Sequence, residues 1–230
     1  MEFQIGLENN CEGRSVAWVL GHPGCFAYGK DGAEALAAVP QAIQDYSRWV
    51  GAHIVQSWLP DEPVTVRLVE SFECYTIDDD FELASTGYEV NSWFRHDWKP
   101  LTAEELAQGM LILAWSRIEL LQTVKDLSAE VLERSYPGER WSIAGILGHI
   151  GGADWWYLDR LGLAFPRHEV PQDPFERLEK VRNRLIEVLP GLVGSRQVVG
   201  VDGEFWSPRK LLRRAAWHEC DHTQHIRKLL

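Results

Sequence analysis

Four helix-start signals divide the sequence after Leu101, and they limit how that half of the chain can fold. A helix begins readily where a Ser, Thr or Asp side chain accepts a hydrogen bond from the first backbone amides, and Pro or Glu in the first turn strengthens the signal. The four predicted caps are Thr102, Ser142, Asp173 and Ser207. Apolar residues recur at helical spacing after each cap, and the first helix is expected to extend to about Leu132. Four helices joined by short or moderate loops predict an all-α four-helix bundle over residues 101–230.

Residues 1–74 have a different pattern, which predicts strands around one long helix. The runs "FQIGL" and "SVAWVL" flank a turn-rich "ENNCEG", as in paired strands, and "VTVRLVESFEC" alternates like a half-buried strand. One predicted helix face consists of Leu36, Val39, Ile43, Tyr46 and Val50. Pro40 lies within that helix and predicts a kink or a late helix start. The region is therefore expected to be a small β/α domain, and the whole chain belongs to the α+β class.

Residues 75–100 mix acidic, aromatic and turn residues without a clear period. We place the connection between the two domains here. Because Trp93, Phe94 and Trp98 would not stay in water, the segment is expected to pack as a long irregular piece rather than to remain disordered.

The charge of the chain argues against some partners. Its formal net charge is −11, and the N-terminal half carries most of it. Wrapping nucleic acid needs clustered Lys and Arg, so no nucleic-acid partner is expected. The sequence shows no apolar run of membrane length, no basic-then-apolar leader and no CxxC pair, which predicts a cytoplasmic protein with free thiols and no membrane association.

Histidines near the C-terminus carry the clearest chemical signal. His218 and His222 are spaced i, i+4, which places both imidazoles on one helix face at chelating distance. A tight site needs a third ligand from another helix, and His149 in "ILGHIGG" is the best candidate. Three neutral imidazoles with an open position suit a catalytic divalent ion. Zn or Ni is expected before Fe or Mn.

Several other residues near these histidines have more than one interpretation. His225 is a general base, an outer partner of the metal ligands or a mere neighbour. Arg214 binds an anionic substrate group or faces solvent in the basic run "RKLLRR", and Trp156 walls a substrate pocket or packs in the core. Glu219 and Asp221 lie off the ligand face, so we expect both at the surface.

The C-terminal half resembles the DinB family of metal-binding four-helix bundles. The matching stretches are "RWSIAGILGHIGGADWWYLDRL" and "WSPRKLLRRAAWHECDHTQHI", and the likeness covers about residues 98–230. The resemblance implies that His149, His218 and His222 bind a divalent metal in a cleft. Members of the family include transferases and isomerases that use a low-molecular-weight thiol such as mycothiol or bacillithiol. Many members carry Gln where this chain has His225, so the family implies no role for that residue.

The N-terminal half is similar to the HicB-like fold. The similarity rests on "HPGCFAYGKDGAEALAAVPQAIQDY" and covers about residues 1–72. HicB proteins act as antitoxins, usually with an added DNA-binding element, and this chain shows no such element. A domain that binds a partner, forms a homodimer or gates substrate is expected instead.

Three hypotheses for function follow. In the first, the chain is an enzyme whose metal activates water or a thiol for transfer, isomerisation or hydrolysis of a small molecule. In the second, the chain is a non-catalytic protein that binds a metal or ligand, and the HicB-like domain contacts a partner. In the third, the histidines are surface groups and the bundle only dimerises.

Overall fold

The structure, a computed structural model, describes residues 2–55, 57–59 and 63–230. The chain has an α+β architecture divided into two compact units. The first comprises Met1–Lys99 and Val198–Trp206, and the second comprises Pro100–Gln197 and Ser207–Leu230. The segment that the sequence suggested as a connection, 75–100, therefore belongs almost entirely to the first unit. A short piece of the C-terminal half also leaves the helices to join that unit.

A four-stranded sheet forms the centre of the first unit. Its strands are β1 (Glu2–Cys11), β2 (Arg14–Val19), β3 (Phe26–Gly29) and β4 (Thr65–Glu73), in the order β3-β2-β1-β4. Strand β2 pairs antiparallel with both β1 and β3, whereas β4 pairs parallel with β1. The parallel pairing requires a crossover, and helix α1 (Gly32–His53) supplies it. Strand β4 is more exposed than its alternation suggested, since it lies at the edge and Leu68 is 46% exposed.

Helix α1 packs its apolar face on the sheet, as the periodicity predicted. Its buried residues are Ala35, Val39, Ile43, Tyr46 and Val50. The expected face differs at one position, because Ala35 is buried and Leu36 is only half-buried. The helix does not start late: Asp31 caps it, and it continues through Pro40.

Two small hairpins complete the first unit, and both correct the sequence interpretation. One pairs β5 (Tyr75–Ile77) with β6 (Tyr88–Val90) inside the segment expected to be irregular. The other pairs β7 (Val199–Val201) with β8 (Glu204–Trp206), where only helix was expected. Its turn residues Asp202 and Gly203 have φ values of 48° and 76°. Two successive positive φ angles are typical of the tight hairpin turn that Asp-Gly favours.

The second unit is helical, and all four predicted caps are confirmed. Its helices are α2 (Ala103–Val124), α3 (Ala129–Glu133), α4 (Ile143–Arg160), α5 (Pro174–Val188) and α6 (Pro208–Leu229). Short 3₁₀ turns are Arg95–Trp98 in the first unit and Arg167–Glu169 and Leu189–Leu192 in the second. The side chains of Thr102, Ser142, Asp173 and Ser207 each accept a hydrogen bond from a first-turn amide.

The first helix of this unit is shorter than predicted. Helix α2 ends at Val124 rather than near Leu132. Ser128 then accepts a hydrogen bond from the Val131 amide and starts the short helix α3. The sequence "LSAEV" contains this cap, so the second start signal divides what looked like one continuous periodic run.

Apolar residues from the long helices share one interior. The core includes Leu120, Val124, Ile143, Ile146, Leu147, Ile150, Leu178 and Ile226. Helix α4 packs against α5 and α6, and α2 packs against α6. The α2–α6 approach depends on Gly109, because a Cβ there would lie 2.5 Å from a Leu212 methyl carbon. No helix among the described residues is long and apolar enough to cross a membrane.

The cap of α2 also predicts an acid-sensitive contribution to stability. Glu105 accepts hydrogen bonds from the Thr102 amide and from Arg209 Nη2, at 3.0 and 2.7 Å. Burial opposes ionisation of Glu105, but Arg209 and Thr102 outweigh it and lower its pKa to about 2. Because the folded-state pKa lies below the unfolded value of about 4.3, the ionised group stabilises the fold above that value. This contribution is lost as pH falls towards 2.

We expect Glu105→Gln to lower the free energy of unfolding by about 1–2 kcal/mol at neutral pH. The difference from the wild type should be constant above about pH 5 and shrink as pH falls from there towards 2. Urea titrations followed by circular dichroism at several pH values measure it. Glu104→Gln is the control, since Glu104 is an exposed neighbour in the same first turn. A difference that does not change with pH would contradict the role of Glu105.

Candidate metal centre

Helices α4 and α6 bring three imidazole nitrogens together. His149 lies on α4, and His218 and His222 lie one turn apart on α6. The Nε2 atom of His218 is 3.0 Å from Nε2 of His149 and 3.1 Å from Nε2 of His222. All three potential ligand atoms lie within 4.8 Å of one another. The structure thus places the three histidines predicted as ligands around one point.

The electrostatic environment keeps the central imidazole neutral. His218 is buried, whereas His149 and His222 are half-buried. Burial, followed by the nearby charges of His222, His149 and Arg214, lowers the pKa of His218 well below its ordinary value. A neutral imidazole has a free lone pair, and this is the form that binds metal ions. The donor set therefore fits a divalent ion of the Zn or Ni type.

Aromatic rings pack against two of the three imidazoles. Trp141 stacks on His149, with ring centroids 4.5 Å apart and an interplanar angle of 24°. Tyr157 and Trp217 contact His218, with centroid distances of 6.0 and 5.5 Å. Metal-binding histidines usually donate their second ring N–H to an acceptor. Among the described residues, none pairs with Nδ1 of His218. That ring is therefore oriented by packing and by the contacts of its Nε2 atom with His149 and His222.

His225 lies beside the three histidines but outside their point of convergence. Its ring is 6.0 Å from that of His222, and its Nε2 is 2.9 Å from Oε2 of Glu139. Both side chains of this pair are 31% exposed. An imidazole paired with a carboxylate can accept or deliver a proton at the edge of the site. No local pattern in the sequence identifies Glu139, because this residue lies in the loop before α4 and pairs across 86 positions.

The structure excludes one of the two interpretations of Arg214 and tests neither of those for Trp156. Arg214 is buried rather than solvent-facing, and its guanidinium lies 4.4 Å from the centre of the Trp217 ring. The side chain of Trp156 is half-buried and contacts Tyr157 and Arg160. Of the three consecutive aromatic residues on α4, Tyr157 has a ring that contacts His218. A substrate-binding role for Arg214 or Trp156 stays a prediction.

The expectation that Glu219 lies at the surface is wrong. Its side chain is fully buried, next to His218 in sequence, and accepts hydrogen bonds from α2 and α5. Its donors on α2 are Ser116 Oγ at 2.8 Å and Arg117 Nη2 at 2.6 Å. On α5, Arg182 Nη2 donates to Glu219 at 2.9 Å and to Asp154 of α4 at 3.0 Å. We call Arg117, Asp154, Arg182 and Glu219 the buried ion cluster.

The buried ion cluster links all four long helices of the second unit through charged groups. Burial alone would raise the pKa of Glu219, but Arg182 and Arg117 outweigh it and lower the pKa, so this carboxylate is ionised. Burial raises the pKa of Asp154 despite the charge of Arg182. The guanidinium groups also donate to the backbone carbonyls of Leu113 and Leu178, which adds bonds between helices. The cluster therefore fixes α6 at the residue next to the central histidine.

A helical unit that presents three imidazoles from two helices is typical of a metal-binding protein. Comparison with family models matches residues 112–226, half of the chain, to the DinB superfamily. The chain therefore belongs to the DinB superfamily, whose members in general bind metal. Comparisons with curated proteins and with solved structures gave no significant match.

Breaking the buried ion cluster should cost more stability than losing an ordinary arginine from the same helix. We expect Arg182→Met to lower the free energy of unfolding by about 3–5 kcal/mol, since it leaves two carboxyl groups buried beside one remaining cation. Arg184→Met on α5 removes a half-buried arginine that pairs with Glu187 and should cost less than about 1.5 kcal/mol. Urea unfolding followed by far-UV circular dichroism compares the two variants. Equal losses would contradict the proposed importance of the cluster.

Proposed function

We propose that the chain is a metal-dependent enzyme acting on a small molecule, as a thiol-dependent transferase or isomerase or as a hydrolase. Its helical unit is taken to be a DinB-like four-helix bundle in which His149, His218 and His222 hold one divalent ion. The single observation that carries this proposal is the convergence of three Nε2 atoms from two helices, at separations of 3.0 and 3.1 Å from the central one. Three protein ligands leave room for a further ligand on the ion.

When bound, such an ion acts as a Lewis acid and lowers the pKa of a coordinated water or thiol. The residues of the chain perform the other tasks. Burial and packing hold His218 neutral and fixed in orientation. His225 and Glu139 together can take a proton from a bound group or return one to it. Arg214 places a positive charge near His218, where it favours an anionic group such as a carboxylate or thiolate.

The first unit has a separate proposed role. We take its sheet and helix α1 to be a HicB-like domain that binds a partner or forms a homodimer. The observation in its support is the exposed apolar surface of the edge strand β4, where Leu68 and Val69 are 46% and 37% exposed. An edge strand with exposed apolar side chains favours pairing with another chain. If catalysis is absent, the chain is instead a metal- or ligand-binding protein that uses this domain for contact.

Metal analysis tests the proposed ligands directly. We expect His149→Ala to weaken Zn²⁺ and Ni²⁺ binding at this centre by more than about 100-fold, since even loss of an outer partner costs 10–100-fold. Titration calorimetry on metal-stripped protein measures the affinity, and circular dichroism verifies folding. His168→Ala is the matched control, because His168 is exposed in a 3₁₀ turn of the same unit. An unchanged affinity in His149→Ala would contradict the assignment.

A second experiment distinguishes the enzyme from the binding protein. We expect low-molecular-weight thiols to raise the melting temperature of the metal-loaded protein and not of the His149→Ala variant treated with the same metal, because a thiolate binds at the open position of the ion. Compounds that stabilise the protein are then assayed for turnover with electrophilic and hydrolysable small molecules. Turnover that disappears in His225→Ala while metal affinity is retained supports an enzyme with a proton-transfer residue. Stabilisation without turnover of any compound supports the binding protein.

A further inference from the structure

The first unit contains a second group of potential metal ligands, far in sequence from the three histidines. Glu8 and Cys11 lie on β1, and Cys74 directly follows the neighbouring strand β4. The backbone amide of Cys74 donates to the carbonyl of Asn9 at 2.9 Å, which fixes the position of Cys74 beside β1. One carboxylate oxygen and two sulfur atoms of these residues lie within 4.8 Å of one another. We call Glu8, Cys11 and Cys74 the thiol–carboxylate cluster.

The carboxylate of this cluster is buried and held in a fixed orientation. Glu8 is fully buried in a strand whose other inward residues are apolar. Its Oε2 accepts a hydrogen bond from Trp18 Nε1 at 2.7 Å, and its Oε1 accepts one from the Ser92 amide at 2.8 Å. Burying a carboxylate is costly unless several donors satisfy it. An apolar residue would have been the ordinary choice here, so the oriented carboxylate indicates a chemical role.

Each thiol of the cluster is directed at a carboxylate. The Sγ atom of Cys74 donates to Glu8 Oε1 at 3.4 Å, and Sγ of Cys11 donates to Glu89 Oε1 at 3.3 Å. Glu89 also accepts from the Glu12 amide at 3.2 Å and belongs to β6, so a third strand reaches the cluster. The S–H protons therefore occupy the space between sulfur and oxygen that a small cation would fill after their removal.

The spacing of the ligand atoms suits a zinc-class ion. Without a cation, the negative charges of thiolates and neighbouring carboxylates would repel one another. A divalent cation attracts both groups, and the sulfur atoms that bind it lose their protons. Ligands of a tetrahedral zinc ion, at bond lengths of about 2.0–2.3 Å, lie about 3.3–3.8 Å apart. The Sγ atom of Cys74 and Oε1 of Glu8 are 3.4 Å apart, and all three ligand atoms lie within 4.8 Å of one another.

We propose that the thiol–carboxylate cluster is a second metal site, which binds a zinc-class divalent ion through Cys11, Cys74 and Glu8. Thiolate ligands select Zn²⁺ over Mg²⁺ or Ca²⁺. Binding replaces two S–H protons, which leave to solvent, and forms two metal–sulfur bonds without any change of oxidation state. The ion would join β1 and the end of β4 within the first unit.

Cobalt spectroscopy tests this site without interference from the histidines. Reduced, metal-stripped full-length protein is titrated with Co²⁺, and only thiolate ligands give an intense near-ultraviolet sulfur-to-cobalt charge-transfer band. We expect the band in the wild type and in His149→Ala, and we expect its loss in Cys11→Ala and in Cys74→Ala. Cys25→Ala is the matched control, since it removes another buried thiol of the same unit and should leave the band unchanged. Excess Zn²⁺ should abolish the band.

Two further measurements accompany the titration. Zinc stoichiometry by elemental analysis should fall from two ions per chain to one in Cys74→Ala and to one in His149→Ala, so the two sites fail or succeed separately. A pH indicator should record about two protons released per zinc ion at the new site. A folded wild-type protein that gives no charge-transfer band would overturn the proposal and leave the thiols as hydrogen-bonded core residues. A band that survives both Cys11→Ala and Cys74→Ala would overturn it as well.

Discussion

The carboxylate of Glu219 is the point at which the helices of the second unit are tied together. It is fully buried and accepts hydrogen bonds from two arginines and a serine on two other helices. Arg182 extends the connection to Asp154 on α4. An ionised group in such a place is tolerated only when its partners are fixed, so the cluster defines the relative positions of α2, α4, α5 and α6. The three histidines of the proposed metal site lie on two of these helices, α4 and α6.

The buried ion cluster determines where the helices place the histidines of the proposed metal site. His218 is the residue before Glu219, and it forms the middle of the three-histidine group. A single connected set of side chains therefore fixes α6 at Glu219, the residue after His218, and α4 at Asp154, five residues beyond His149. In the proposed site His218 is buried, whereas His149 and His222 are half-buried.

Local signals in the sequence predicted much of this structure. Capping side chains at Thr102, Ser142, Asp173 and Ser207 depend on nearby amides, so a short window of sequence contains all the relevant physics. The i, i+4 spacing of His218 and His222 is likewise a property of one helix. Pairing them with His149 required only the inference that α4 and α6 are neighbours. The Asp-Gly turn of the β7–β8 hairpin was an equally local signal that a helical interpretation of the region overlooked.

The features that could not be predicted from the sequence depend on contacts between residues that are far apart in the chain. Glu219 looks like a surface residue because its charge suits a solvated helix face, yet partners on two other helices make its burial favourable. Arg214 in the run "RKLLRR" misleads for the same reason, since every residue of that run is buried. A helical period of apolar residues identifies one buried face, and it does not reveal a helix that is buried on several sides. Folding brings strands and loops together and so places partners that are far away in sequence next to Glu139, Cys74 and Glu8.

The most direct measurement of the central claim is anomalous diffraction from crystals of the zinc-loaded chain, collected on both sides of the zinc absorption edge. We expect an anomalous peak at bonding distance from Nε2 of His149, His218 and His222, with at least one further coordination position open to solvent or a small ligand. The absence of a peak at these three nitrogens, in crystals whose zinc content is confirmed by fluorescence, would contradict it.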